Sequence, residues 1–160
     1  MKPRKDKVLT GLAGEFYVLA QLAERGFTAA LTLGNSKNVD IIVTSPNGKK
    51  ITRLEVKTSS LPLRHEHLFG KDRFHIWAMG EKHERIKDKN LAYCFVVLKG
   101  KGLLPLFFIV PSKYVARYVG WQHRYWLKSR KQKVKDTPMR NFRIEENDPK
   151  GFRDKWRSLA

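Results

Sequence analysis

The sequence predicts an α/β (α+β) fold, in which an N-terminal helix is followed by a β-sheet with further helices beside it. Apolar residues recur at helical spacing from Leu9 to Arg25, and Gly26 follows at a position typical of a helix C-terminus. Several β-rich segments then alternate with turn signals. With 160 residues, of which 41% are apolar, we expect a single domain over residues 1–160.

The first helix is predicted to bury a stripe of apolar side chains, formed by Leu12, Phe16, Leu19, Ala20 and Ala23. At 100° per residue, Glu15 falls beside this stripe, on the side that it shares with Leu22. An acid at the edge of a buried face suits a functional site. The alternative is a carboxylate near a helix N-terminus, where the helix dipole favours it.

A β-hairpin is predicted next, after a strand over 27–33. The segments 39–44 and 51–57 are β-rich and flank Asn47-Gly48, a pair typical of a type I′ turn because both of its central residues need positive φ. Alternatively, Pro46 begins a type I turn with a bulge at Gly48, which we expect to shift the pairing by one residue.

The unshifted register brings two acids together. It pairs Ile42 with Arg53 and places Asp40 directly opposite Glu55, with Lys57 on the same face as Glu55. The Cβ atoms of opposed residues lie about 4.5–5.5 Å apart, and like charges so placed destabilise a sheet. A divalent ion such as Mg²⁺, or Mn²⁺, would resolve this repulsion, because it binds through one or two carboxylates together with water and phosphate oxygens.

The remaining elements follow from apolar runs and capping signals. Residues 74–79 alternate as a strand, whereas 81–88 is charged and suits a short helix or loop. The apolar runs 91–98 and 103–110 predict a second hairpin. We expect Ser112 to be the N-cap of a helix, and a C-terminal helix over 148–159 to begin at Asp148 and Pro149 and to share one face among Phe152, Trp156 and Leu159.

The acids and the E-x-K tripeptide resemble the PD-(D/E)XK nuclease superfamily, which includes Holliday junction resolvases and many restriction endonucleases. The matching residues are Glu15, Asp40 and Glu55-Val56-Lys57, within the core motif region 9–60. The resemblance implies a restriction-endonuclease-like core with a mixed central sheet, and a Mg²⁺-dependent endodeoxyribonuclease. It also implies that Asp40 and Glu55 bind the metal, that Glu15 assists the metal and that Lys57 serves catalysis.

Two departures from the family pattern accompany this resemblance. Val39 stands where the motif has Pro, and no clear second amphipathic helix follows Ser60. The tripeptide by itself is also compatible with a solvated strand face that alternates Arg53, Glu55 and Lys57. The resemblance therefore rests on the conjunction of the helix acid, the strand acid and the hairpin register.

The net charge of +18, from 33 Lys and Arg against 15 Asp and Glu, indicates a polyanionic partner. No acid occurs between Lys89 and Lys135. Within the basic aromatic segment 111–135 we expect eight nucleic-acid-binding residues: Lys113, Arg117, Arg124, Lys128, Arg130, Lys131, Lys133 and Lys135. They are interleaved with Tyr114, Tyr118, Trp121, Tyr125 and Trp126, which suit either base stacking or, as for Tyr118 and Trp126, packing in the core.

Several alternatives and exclusions complete the sequence-based hypothesis. One rival is a non-catalytic nucleic-acid-binding protein on the same fold, another a membrane-surface or ribosome-associated protein, and a third a zinc site at His65 and His67 with His75, His83 or His123 as a further ligand. The single Cys94 excludes an intramolecular disulfide and suits the reducing cytoplasm. We expect DNA rather than RNA as the partner and no membrane association; symmetric cleavage of two strands would require a homodimer.

Overall fold

A computed structural model of the chain describes residues 6–33, 38–100, 102–130, 132 and 134–160. The elements run in the order α1 (Lys7–Glu24), β1 (Thr28–Leu31), β2 (Ile41–Thr44), β3 (Ile51–Ser59), β4 (Arg64–His65), β5 (Arg73–Gly80), a 3₁₀-helix (Glu81–Glu84), β6 (Leu91–Val97), β7 (Leu106–Pro111), α2 (Ser112–Lys128), β8 (Met139–Glu145) and a final 3₁₀-helix (Trp156–Leu159). Across these ranges, no helix combines the length and the apolar character needed to cross a membrane.

Two sheets form the centre of the molecule. The larger has the strand order β1-β2-β3-β6-β7, in which β3 and β6 are parallel and the other neighbours antiparallel. The smaller sheet has the order β4-β5-β8. The predicted α/β class with an N-terminal helix and a mixed sheet is confirmed. Between β3 and β6 the chain forms β4, β5 and the 3₁₀-helix Glu81–Glu84 where the family core would have a helix.

The predicted hairpin register is confirmed, but the predicted turn is wrong. Ile42 pairs with Arg53 as expected, whereas only Gly48 of the Asn47-Gly48 pair has positive φ, at 71°. The Gly48 amide donates to the carbonyl of Ser45 at 2.8 Å, which closes a turn whose central residues are Pro46 and Asn47. Ser45 still pairs with Lys50 on either side of this turn, as in the predicted hairpin. The register of the two strands is therefore not shifted.

Two apolar clusters lie on opposite faces of the larger sheet. The first packs α1 on the sheet through Val18, Leu22, Ile41 and Leu54. The second packs the smaller sheet and α2 on the other face through Trp77, Phe95, Val119 and Phe142, among others. Strand β6 serves both clusters, since alternate side chains point to opposite faces. Cys94 is free and buried in the first cluster, and the cytoplasmic location stays a prediction.

The predicted apolar stripe of α1 is wrong. Leu12 and Phe16 are 40% and 54% exposed, and Ala20 and Ala23 are exposed with them. The buried residues of the helix are Gly14, Val18 and Leu22. Leu19 alone of the predicted stripe packs against the core.

A close contact at Gly14 sets the rotation of α1. A Cβ atom at this position would lie 1.9 Å from Oγ1 of Thr58 on β3, far inside van der Waals contact. The absence of a side chain therefore lets the helix backbone approach the strand, and the helix turns the face of Gly14, Val18 and Leu22 toward the sheet. Glu15 lies on the edge of that same face, as expected from its position beside Leu22.

The C-terminal helix predicted over 148–159 is also wrong. Asp148 has φ 44° and the chain turns there, after which the Phe152 carbonyl accepts from the Ile109 amide of β7 at 2.9 Å. This segment therefore runs beside an edge strand, which satisfies its backbone groups without a helix. The three apolar residues that were expected to share a helix face are nevertheless buried: Phe152, Trp156 and Leu159.

Helix α2 begins where it was predicted, but with a different cap. Ser112 is the first helical residue, and Pro111 occupies the N-cap without a side-chain hydrogen bond. The Ser112 hydroxyl instead donates to the carbonyl of Asp88 at 2.6 Å. This bond ties the start of α2 to the loop that precedes β6.

Candidate functional site

The acids lie at the N-terminal end of β2, beyond which β3 continues beside β6. β2 pairs with β3 only as far as Ile41 opposite Leu54, whereas β3 extends to Ser59 along β6. Asp40 directly precedes β2. Its amide donates to the carbonyl of Leu54 at 2.8 Å, and its Oδ2 accepts from the Val56 amide at 2.7 Å. The Asp40 carboxylate thereby covers the edge of β3 at the point where the neighbouring strand stops.

Glu55 and Lys57 project from the part of β3 that lies beyond its pairing with β2. They lie two residues apart and therefore on one face, with Lys57 Nζ 2.5 Å from Glu55 Oε1. Glu55 is only 3% exposed. Its second oxygen, Oε2, is buried and has no hydrogen-bond partner within the described part of the chain. A buried carboxylate oxygen without a partner carries a desolvation cost that a further ligand would offset.

Glu15 lies close enough to this group to interact with it. Burial raises the pKa of Glu15, the Asp40 carboxylate raises it further, and Lys57 opposes the shift. Burial likewise raises the pKa of Asp40; the Val56 amide and Lys57 oppose that shift, whereas Glu55 adds to it. The four predicted catalytic residues, Glu15, Asp40, Glu55 and Lys57, thus form one electrostatically coupled set.

A second layer of polar residues lies behind Glu55, and the sequence did not indicate it as a site. Tyr93 on β6 is directly opposite Glu55; burial raises the pKa of the Tyr93 hydroxyl, and the nearby Glu55 carboxylate raises it further. The same hydroxyl is 2.7 Å from Nδ1 of His83. The Tyr93 hydroxyl and the His83 ring thus satisfy each other behind Glu55.

His83 is held neutral in this network. Burial, followed by Lys57 and Lys82, lowers its pKa to about 3, and its Nε2 is 3.8 Å from Glu55 Oε1. The sequence offered His83 only as a zinc ligand and Tyr93 only as part of an apolar run. No local signal linked either residue to Glu55, because the link depends on the parallel pairing of β3 with β6.

The histidines expected as zinc ligands do not converge. Throughout the described ranges, no three His, Cys, Asp or Glu side chains are grouped so that they could hold a metal ion. The rings of His65 and His67 stack at a centroid distance of 6.2 Å, and Glu66 between them pairs with Arg143 at 2.6 Å. His83 is engaged with Tyr93, and His123 Nε2 lies 2.7 Å from Asp136.

The predicted nucleic-acid-binding residues are divided between α2 and the segment after it. Lys113, Arg117 and Arg124 line one side of a cavity of about 200 Å³, together with Lys87 and Glu84. Its floor is formed by α2 at Ala116 and Gly120. Lys128, Arg130 and Lys135 are exposed beyond it, whereas Lys131 and Lys133 lie outside the described residues.

The cavity adjoins the acidic site through the 3₁₀-helix Glu81–Glu84. This short helix carries Lys82 and His83 next to the Asp40 and Glu55 carboxylates, and Glu84 at the cavity. Arg140 of β8 forms an ion pair with the Glu84 carboxylate, which leaves the cations of the cavity in excess. The basic surface and the acids therefore lie on opposite ends of one short element.

The aromatic residues of α2 fall into two groups. Tyr114 and Tyr118 pack in edge-to-face contacts with Phe142 in the core, as was expected for Tyr118. Trp121 and Tyr125 are instead exposed, at 49% and 42%. Trp126 is half-buried, and the Arg130 guanidinium lies 5.0 Å above its ring.

Known structures resemble this fold although their sequences differ. A bacterial homing endonuclease, I-Ssp6803I, matches 98% of this chain and 92% of its own, with a TM-score of 0.60 and 13% identity. Hjc, a Holliday junction resolvase from Archaeoglobus fulgidus, matches 90% of this chain and 91% of its own, with a TM-score of 0.49 and 16% identity. No family model and no curated protein sequence matches the chain.

The match to the homing endonuclease defines the fold class. The similarity to the homing endonuclease spans almost the whole chain, and the resemblance to restriction-endonuclease-like, PD-(D/E)XK-type folds is confirmed at the level of the fold.

Proposed function

We propose that the chain is a metal-dependent endonuclease that hydrolyses DNA phosphodiester bonds, with Mg²⁺ or Mn²⁺ as the metal. The observation that carries this proposal is the pair of acids at the end of β2, where Asp40 and Glu55 share a site that contains the unpartnered Glu55 Oε2. The structural neighbours with the same fold are a homing endonuclease and a Holliday junction resolvase, which supports a nuclease in general.

The residues present fit such a metal. Mg²⁺ keeps several waters and takes one or two carboxylates together with phosphate oxygens, so Asp40 and Glu55 would hold it and Glu15 would assist from α1. When bound, the metal lowers the pKa of a water and polarises the phosphoryl group.

Lys57 provides the complementary positive charge. Its ammonium is fixed against Glu55 Oε1 at 2.5 Å, so it can orient the attacking water and offset the negative charge that develops on the phosphoryl oxygens. The oxygen of that water bonds to phosphorus as the bond to the leaving oxygen breaks.

The DNA would approach along the basic side of α2. Lys113, Arg117 and Arg124 line the cavity beside the 3₁₀-helix, and contacts of this kind are made to the phosphate backbone. They predict salt-sensitive binding without strong sequence preference.

Cleavage of both strands of a symmetric site would require two copies of the chain, so a homodimer is part of the proposal. Sedimentation with and without DNA tests it, and a monomer on the cleaved DNA contradicts it.

A cleavage assay tests the catalytic part of the proposal. Linear, branched and single-stranded DNA are incubated with wild type and with Asp40→Ala, each with Mg²⁺, with Mn²⁺ and with a chelator. Wild type should cut in the presence of either metal, and Asp40→Ala should lose at least about 100-fold in rate. Asp72→Ala, which removes an exposed acid far from the hairpin in sequence, is the matched control and should cut like wild type. Equal cleavage by wild type and Asp40→Ala contradicts the site.

The second candidate is a nucleic-acid-binding module that keeps the fold and does not cut. The cations Lys113, Arg117 and Arg124 of α2 favour it, because they can hold phosphates without any metal. DNA binding that survives Glu55→Ala, with no substrate cut by wild type under any metal condition, would support this module over the nuclease.

A further inference from the structure

The outer face of α2 carries a pair of aromatic rings that the fold does not use. Trp121 and Tyr125 are one helical turn apart, and their rings stack at a centroid distance of 5.6 Å with an interplanar angle of 15°. Both remain roughly half exposed, at 49% and 42%. Further rings extend this row at both ends, since Tyr118 lies 5.8 Å from Trp121 and Phe69 lies 6.0 Å from Tyr125.

Core packing does not account for the exposed pair. The contacts of α2 with the second apolar cluster are made by Val115, Val119, Tyr114 and Tyr118. Trp121 and Tyr125 lie about 80° and 120° around the helix from Lys113, on the side of Tyr114 and Tyr118 but further along α2, where they stay exposed. Two large rings side by side at the surface form an exposed apolar patch, and such patches mark binding surfaces.

The charge next to the pair identifies the chemistry of its ligand. Arg117, Arg124 and Lys128 are exposed on the neighbouring side of the helix, and within the described part of the chain none of them forms an ion pair. No acid occurs between Lys89 and Lys135. A ligand that contacts both the aromatic pair and these cations must combine repeated negative charge with flat apolar faces, which is the chemistry of a nucleic acid.

We propose that this surface, Trp121 and Tyr125 with the cations beside them, binds unpaired DNA nucleotides by stacking. The proposal rests on the proposed function, since it takes DNA as the partner and adds which form of DNA is preferred. In a duplex the faces of the bases are covered by their neighbours, so the rings can gain nothing from paired DNA. Only unpaired bases, as in a single-stranded extension or a branch, present a free face to the pair.

The two kinds of contact, to phosphates and to bases, therefore depend differently on whether the DNA is paired. The cations hold phosphates in duplex and unpaired DNA alike, whereas the rings contribute to unpaired DNA alone. Stacking contributes roughly a 5- to 150-fold gain in affinity per base. Wild type should therefore prefer DNA with unpaired nucleotides over a duplex of equal charge.

The test measures binding without cleavage. A duplex with a single-stranded extension of about eight nucleotides and a fully paired duplex with the same number of phosphates are titrated by fluorescence anisotropy in a chelator, at one fixed salt concentration. The variants are Trp121→Ala/Tyr125→Ala, which removes the rings, and Trp121→Phe/Tyr125→Phe, which keeps them. Trp121→Leu/Tyr125→Leu keeps apolar volume without a ring, so it remains informative should the alanine variant fail to fold.

The expected result is a loss confined to the extended DNA. The alanine and leucine variants should bind it at least about 5-fold more weakly and the duplex within about 2-fold of wild type, while the phenylalanine variant retains the preference. An equal loss on both DNAs, or no loss, overturns the proposal. It is also overturned if sedimentation shows a wild-type dimer that the ring-free variants abolish, because the pair is then an interface between copies.

Failure of this inference is distinguishable from failure of the proposed function. The anisotropy titration needs no catalysis, so a stacking preference in a chain that never cuts DNA would refute the nuclease and keep this binding surface. Cleavage that depends on Asp40, combined with equal affinity for the two DNAs, would do the reverse.

Discussion

The acidic site at the end of β2 and the outer face of α2 are built in opposite ways. At the site, the charged groups are fixed by neighbours: Asp40 by the Val56 amide, and Glu55 by Lys57. On α2, Arg117 and Arg124 are exposed and free of ion pairs with described residues. The side chains of the first region have fixed positions, whereas the second region presents exposed positive charge.

This difference suggests how changes in the two regions should separate. A change that moves an element by an ångström should harm the site and leave the surface of α2 unaffected, because catalysis depends on position. A change that removes charge should harm binding in proportion to the number of phosphates lost. Substitutions in each region therefore test whether the two tasks are independent.

Gly14→Ala should have the largest effect on cleavage. The new Cβ would lie 1.9 Å from Thr58 Oγ1, so α1 must move away from β3 and carry Glu15 with it. We expect about 1–3 kcal/mol less unfolding free energy and cleavage about 100-fold slower, with DNA affinity in chelator within about 2-fold. Denaturant unfolding, the cleavage rate and anisotropy measure the three quantities.

Gly11→Ala is the matched control for this substitution. It lies on the same helix, where a Cβ meets nothing within 4 Å, and should stabilise the helix by about 1 kcal/mol or less. A Gly14→Ala protein as stable and active as Gly11→Ala would show that the contact with Thr58 does not position the helix.

Removing the cations of the α2 cavity should have the next largest effect, and only on binding. Lys113→Ala/Arg117→Ala/Arg124→Ala is expected to weaken DNA affinity about 10-fold or more and to reduce the slope of log K against log salt by roughly 3. The metal affinity of the site should stay unchanged. Titrations at several salt concentrations measure the slope.

Three exposed lysines away from α2 provide the control for charge alone. Lys7→Ala/Lys49→Ala/Lys155→Ala removes the same number of cations, all of them exposed. If this variant loses as much affinity and slope as the α2 variant, the net charge and not the surface of α2 determines binding.

Tyr93→Phe should weaken metal binding by about 10-fold. It removes the hydroxyl opposite Glu55 that bonds to His83 Nδ1. His83 then loses its partner, which costs about 1–3 kcal/mol of unfolding free energy, and the polar layer behind Glu55 is less well ordered. Calorimetric titration with Mn²⁺ and thermal unfolding measure the two effects. Tyr17→Phe, at an exposed tyrosine of α1, should change neither, and an unchanged Mn²⁺ affinity in Tyr93→Phe refutes a positioning role.

Asp40→Asn should have the smallest effect, a gain in stability without metal. The folded protein raises the pKa of Asp40, so ionisation of this carboxyl is less favourable in the folded than in the unfolded chain. The destabilisation is present at neutral pH and is lost as the pH falls below the raised pKa. In chelator at pH 7 the variant should melt a few degrees higher than wild type, and the difference should shrink toward pH 4. A constant difference across this range contradicts the expectation.

How far the sequence predicted the site depends on the range of the interactions. The hairpin register followed from local information, because strand alternation and the short Ser45–Lys50 connection hold Ile42 opposite Arg53 whichever turn forms. The turn itself was mispredicted, since Pro46 favours a first central position with negative φ. Glu15, Asp40, Glu55 and Lys57 were therefore named from sequence, and their catalytic roles remain proposals.

The mispredicted elements share a cause in tertiary packing. The stripe of Leu12 and Phe16 has correct helical spacing, but the contact of Gly14 with Thr58 turns it toward the surface. The segment after Asp148 has helix start signals, but pairing with β7 captures its backbone. In both cases local propensity is a weak preference that a long-range contact overrides.

The sequence by itself determined the charge, the helical and strand periodicities and the hairpin that opposes Asp40 to Glu55, because these depend on composition and on neighbours within about twenty residues. Only the tertiary structure decided that Tyr93 and His83 support Glu55 and that Gly14 brings Glu15 to the site. It also decided that Trp121 and Tyr125 remain outside the core. These features depend on the parallel pairing of β3 with β6 and on which face of each helix meets a sheet, and a periodic pattern does not specify either contact.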